Sequence, residues 1–161
     1  TKITDGINTY VFHVYVPILF YLTWRIYKEA LKSIFSKLFF QILLVLVVGF
    51  CVVNTAFIQS LYTNPTNAIF LMSLVFIFWS FAYFVTLLKS KVLQPLEKKP
   101  LFWLSTGQLI YYSSTILIFL LIYNYLIDDT ETTYIAITLN AFFNLVLVTS
   151  YLIALWVKPE K

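Results

Sequence analysis

Polar residues interrupt this chain at four places, and between the interruptions the sequence is almost continuously apolar. Five runs result, at residues 8–27, 38–58, 67–88, 101–127 and 134–157. Each has the length of about 20 apolar residues that a helix needs to cross the hydrocarbon of a bilayer. None carries a charged residue away from its ends. The strands of a membrane barrel would alternate apolar and polar side chains, and these runs do not. Backbone groups in lipid must find partners within their own segment, so the pattern predicts five α-helices.

The breaks are equally informative. RIYKEALKSIFSK (25–37) is basic and amphipathic. With the residues up to Phe39 it predicts either an interfacial helix, with lysines toward lipid heads and Ile34, Phe35 and Leu38 inward, or a hairpin in which the flanking helices simply continue. QSLYTNPT (59–66) is polar, with a turn signal at Asn64-Pro65. KSKVLQPLEKK (89–99) is followed by Pro100, well placed to open the fourth helix. DDTETT (128–133) is short and acidic.

Composition turns this pattern into a class. Of 161 residues, 61% are hydrophobic and only 11% are charged, too little charge to cover the surface of a soluble domain of this size. The expected fold is an all-α, polytopic transmembrane helix bundle forming a single domain over residues 1–161. A net charge of +4 could suggest nucleic acid, but its placement argues for topology instead. Of the eleven basic residues, Arg25, Lys28, Lys32 and Lys37 lie in the first connection, and Lys89, Lys91, Lys98 and Lys99 in the third. Lys158 and Lys161 close the chain, and Lys2 alone falls on the opposite side. The positive-inside rule then puts the C-terminus in the cytoplasm and the acidic connection outside, with anionic lipid heads meeting the basic loops. No nucleic-acid partner is expected. Thr1 stands where a Met would, with no signal peptide before the first run, so the chain reads as N-terminally incomplete, and either a single upstream helix or a pair, the pair making seven spans, satisfies this topology.

Trp24, Tyr27, Trp103 and Trp156 near the cytoplasmic ends, and Tyr10, Tyr62 and Tyr134 near the outer ends, read as an aromatic belt. Catalytic chemistry finds little support. There is one histidine, so bis-imidazole haem ligation is not possible within the chain, and no His, Cys and carboxylate spacing suits a metal. No carboxylate pair, lysine for a Schiff base or Gly-rich phosphate loop lies in an apolar run. Cys51 is the sole cysteine, which rules out an internal disulfide. The chain is read as a non-enzyme without cofactor or metal.

The remaining polar residues suggest a site. His13 precedes Pro17 by one helical turn, and Pro17 has no N–H for the carbonyl of residue 13. Kink and imidazole therefore coincide, and Pro17 is a candidate hinge. Ser105, Gln108, Tyr112 and Thr115 step by three, four and three, so they share one helical face, and Asn140 and Asn144 share another. Two readings stay open. The groups can be hydrogen-bonding links between helices, or His13, Gln108, Tyr112, Asn140 and Asn144 can line a polar pocket that opens outward and holds a small neutral or lipidic ligand.

NTAFIQSLYTNP (54–65), LEKKPLFWLSTGQLIYYSSTILIFLLIYNYL (96–126) and LNAFFNLVLVTSYLIALW (139–156) resemble uncharacterised bacterial inner-membrane proteins of about seven spans. Similar regions serve as membrane sensor regions of some histidine kinases. In that group an acidic residue, a proline and Phe-Trp lead into a span with Gly and Tyr, as Glu97, Pro100, Phe102, Trp103, Gly107 and Tyr111 do here. The group brings no agreed catalytic residues, and this chain has neither a phosphoacceptor helix nor an ATP-binding domain after Trp156. The resemblance implies a non-enzymatic sensing or signalling module in the bacterial inner membrane, taking its input at the outer half of the bundle. An accessory subunit of a larger inner-membrane complex, packed on other subunits or on its own copies, is the first alternative. A passive carrier or channel for a small neutral solute is the second.

Overall fold

The computed structural model describes residues 9–89, 95–125 and 130–157. Lys2, Lys91, Asp128, Asp129, Lys158 and Lys161, which enter the charge argument above, lie outside the described residues. The described chain is helical: α1 (Thr9–Ala30), α2 (Lys37–Val53), α3 (Thr66–Lys89), α4 (Pro100–Tyr125) and α5 (Thr130–Trp156). A π-helical turn, Asn54–Ile58, prolongs α2, and a short 3-10 turn, Leu96–Lys98, precedes α4. Among the described residues, three stretches are long and apolar enough to cross a membrane: Lys37–Ile58, Thr66–Lys89 and Thr133–Trp156. That is the composition of a membrane protein.

The helix ends follow local chemistry. α1 continues through Arg25–Ala30 before the chain turns, which selects the hairpin reading of the first connection over a separate interfacial helix. Ser36 stops the turn by capping α2, its Oγ accepting from the Phe39 N–H at 3.1 Å. Pro65 precedes α3, and Pro100 opens α4 as its first residue. Trp103 steadies that start by donating its indole N–H to the Glu97 carbonyl at 2.9 Å.

Two compact units divide the chain at Met72 and Ser73, so α3 contributes its beginning to one and the rest to the other. In the first unit the stripe His13, Val16, Phe20, Thr23, Trp24 and Tyr27 is the buried face of α1, and Leu31, just past its end, continues it. Phe40, Val47, Cys51 and Asn54 form the corresponding face of α2 and its π turn. Trp24 pins the two helices together, its indole N–H donating to the Phe40 carbonyl at 2.8 Å, with the Lys28 ammonium 4.6 Å from the ring centre. Trp156, Tyr62 and Tyr134 are exposed, whereas Trp24 and Tyr27 are buried in protein because they fall on the inward stripe.

In the second unit α4 and α5 make the most extensive helix pair. Ser105, Gln108, Tyr112 and Thr115 are all buried, as the shared face predicts. Gly107 lies beside them, and a Cβ there would meet the Ser150 Cβ at 2.5 Å. The missing side chain lets the two backbones approach closely, a common device between membrane helices. Phe76 of α3 packs edge-on to Tyr112 with centroids 5.0 Å apart, and Phe84 does the same to Phe102 at 5.9 Å.

Candidate functional site

The densest polar arrangement in the first unit surrounds His13. The imidazole lies on the buried stripe of α1, three residues before Val16, and both ring nitrogens are engaged. Nε2 is 2.9 Å from the carbonyl of Thr63, and Nδ1 is 2.8 Å from the Thr55 hydroxyl. A carbonyl can only accept, so Nε2 carries a proton. In the neutral ring Nδ1 then accepts from the Thr55 hydroxyl. Thr9, at the start of α1, adds a third link by donating to the Leu61 carbonyl at 3.0 Å. The first turns of α1 are thereby tied to both sides of the α2–α3 connection.

Beside this lies a network of amides. Asn54, fully buried at the first position of the π turn, donates through Nδ2 to Gln59 Oε1 at 2.8 Å. Gln59 passes the chain on through Nε2 to the Thr66 hydroxyl at 2.7 Å. Asn67 closes the circuit twice, its backbone N–H reaching Gln59 Oε1 and its Nδ2 reaching Asn54 Oδ1, each at 3.3 Å. The π turn is what permits this. It closes with the Gln59 N–H on the Asn54 carbonyl at 2.7 Å, and the wider turn carries Gln59 back over Asn54. Residues 9–24 and 54–67 include no Asp, Glu, Lys or Arg, so the cluster is polar without formal charge. Buried amides without partners would be costly, and reciprocal bonding removes that cost.

Pro17 lies one turn beyond His13, inside an α1 that runs unbroken on both sides of it. Against the same hairpin an open apolar groove of about 640 Å³ is lined by Pro17, Ile18, Tyr21, Leu44, Val45, Val48 and Gly49. No group of three metal-ligating side chains occurs among the described residues.

The other predicted residues belong to the second unit. Gln108 is fully buried and donates through Nε2 to the Tyr151 hydroxyl at 2.9 Å, linking α4 to α5. Thr115 donates to Asn140 Oδ1 at 3.2 Å, a second link between the same helices. Tyr112 is buried among aromatic rings, with Tyr111 at 4.9 Å and Phe76 at 5.0 Å. Asn144 differs from all of these, because its side chain is exposed.

Thr55, Gln59, Thr63, Thr66 and Asn67 escape prediction as site residues. The available signal was the concentration of small polar side chains in NTAFIQSLYTNPTN (54–67), which otherwise reads only as a connection. The chain matches no protein-family model, no curated protein and no solved structure.

Proposed function

We propose that the protein is a non-enzymatic sensing or signalling module of a bacterial inner membrane. All five helices span it, the start of α1 lies outside, and the input arrives at the His13 cluster. The single observation behind this reading is the double engagement of His13 with Thr55 and Thr63, one turn from Pro17. Hydrogen bonds at the watery end of a bundle exchange readily with solutes and water, while the apolar stripe below them does not. Pro17 removes one rung of the α1 ladder at that boundary, leaving the first turns of α1 able to swing as a lever. Breaking or remaking the His13 bonds then changes the set of α1, and the stripe from Val16 to Leu31 carries the change inward. The basic first and third connections support the orientation. The resemblance to sensor regions supports the class.

The test is a distance measurement on the protein in lipid nanodiscs. Spin labels at Phe12→Cys and Tyr62→Cys, both exposed positions, report the separation of α1 from the α2–α3 connection in a Cys51→Ala background. A sensing role predicts two populations whose weights shift with added small polar solutes that compete for the His13 hydrogen bonds, and a His13→Ala variant that no longer responds. One fixed population under every condition would sink it.

A further inference from the structure

Asn144 occupies an unusual place. It lies eleven residues after Thr133 and twelve before Trp156, at the middle of the α5 stretch that is long and apolar enough to cross a membrane. At 1.5 Å per residue this is about 17 Å from either end, at the depth where a bilayer holds no water. Its side chain is exposed, and among the described residues nothing donates to it or accepts from it. Asn140, one turn earlier, shows the contrast, since its amide oxygen accepts from Thr115. A primary amide left bare in hydrocarbon forfeits hydrogen bonds that lipid tails cannot replace.

We infer that Asn144 marks a homodimer interface, in which α5 crosses α5 of a second copy and the two Asn144 amides bond each other. The occupant follows from the chemistry of the group. An amide has one acceptor and one donor end, so two copies facing each other satisfy both ends reciprocally. A two-fold axis along the membrane normal brings identical residues together at identical depth, so the pairing needs no adjustment of register. The neighbouring positions suit such a crossing. Ile137, Ala141 and Val148 are exposed on the same stripe as Asn144, at spacings of three and four residues, while the next position of that spacing, Tyr151, turns to Gln108 of α4. That is the seam of a left-handed helix crossing. Ala141, one turn from Asn144, keeps the backbones close enough for the short amide side chains to meet. This inference needs α5 in the membrane and does not depend on the sensing role.

The experiment uses the full chain in lipid vesicles, labelled with donor and acceptor dyes and diluted with lipid. The wild type and Asn144→Gln, which keeps an amide, should transfer energy as dimers. Asn144→Leu, an apolar change at an exposed position, should need about three- to thirtyfold more protein per lipid to reach the same transfer, as loss of one to two membrane hydrogen bonds implies. In a Cys51→Ala background, Ala141→Cys should cross-link copy to copy, whereas Phe142→Cys, on the opposite side of α5, should not. Equal dimerisation of Asn144→Leu and wild type would overturn the inference. So would an Ala141→Cys variant that forms no bridge between copies, or cross-linking equally efficient at Phe142→Cys.

Discussion

Gly107 and Ser150 touch so closely that a Cβ on the glycine would lie 2.5 Å from the serine Cβ and 2.9 Å from its Oγ. The obstacle is the root of a side chain, with the Leu147 Cα only 3.5 Å away, so it cannot swing aside cheaply. Gly107→Ala should therefore separate α4 from α5. Overpacking costs about 1 to 3 kcal/mol, and the gain in helix propensity from Gly to Ala, about 1 kcal/mol, offsets only part of it. Ser150→Gly removes both close atoms, so the double variant should be more stable than Gly107→Ala alone. Unfolding midpoints of the four proteins in mixed micelles measure this coupling, and purely additive effects would contradict it.

Gly49 supplies the opposite case. A Cβ there meets nothing within 4 Å, because the position faces the open groove beside Pro17. Gly49→Ala should be neutral or should stabilise α2 by up to about 1 kcal/mol through helix propensity alone. Two glycines in similar apolar surroundings thus have opposite expected outcomes, and the same unfolding assay compares them directly.

The cluster around His13 predicts a local effect. His13→Ala removes two bonds, each contributing about 1 kcal/mol, that hold Thr55 and the Thr63 carbonyl to α1. Hydrogen exchange in residues 59–65 should speed up several-fold, while the buried helical amides around Phe20 and Val47 keep their protection. Thr55→Val removes only the Nδ1 partner and should give a smaller increase. Unchanged exchange in the His13→Ala connection would show that these bonds do not hold it.

The helices were legible because nothing competes with helix in long apolar runs, and because Asn64-Pro65 and Pro100 interrupt them with unambiguous chemistry. The extension of α1 to Ala30 was less so, since RIYKEA suits an interfacial helix as well as a continued one. The inward turn of Trp24 and Tyr27 was missed because depth in a membrane and facing direction are separate variables, and an aromatic near an interface satisfies either. His13 stood out as a lone imidazole, but its partners did not. One is a backbone carbonyl, which leaves no mark on a sequence, and the other is a threonine 42 residues away. Nothing in NTAFI announces a π turn, yet that turn decides which amides Asn54 meets.

Gln108 and Tyr151 give the last prediction. Their hydrogen bond joins α4 to α5 one residue from each member of the Gly107–Ser150 contact, so the polar link and the close approach stand side by side. In membranes such bonds average about 0.6 kcal/mol because the separated helices also find partners. Tyr151→Phe keeps the ring and deletes only the hydroxyl, so its cost should be near that value. Gln108→Leu replaces a fully buried amide with an apolar group of similar bulk, and its cost should be comparable. The double variant should cost less than the two together, with a coupling of about 0.5 to 1 kcal/mol. A coupling near zero would mean that the α4–α5 pair is held by backbone proximity at Gly107 and by packing, with the amide contributing only orientation.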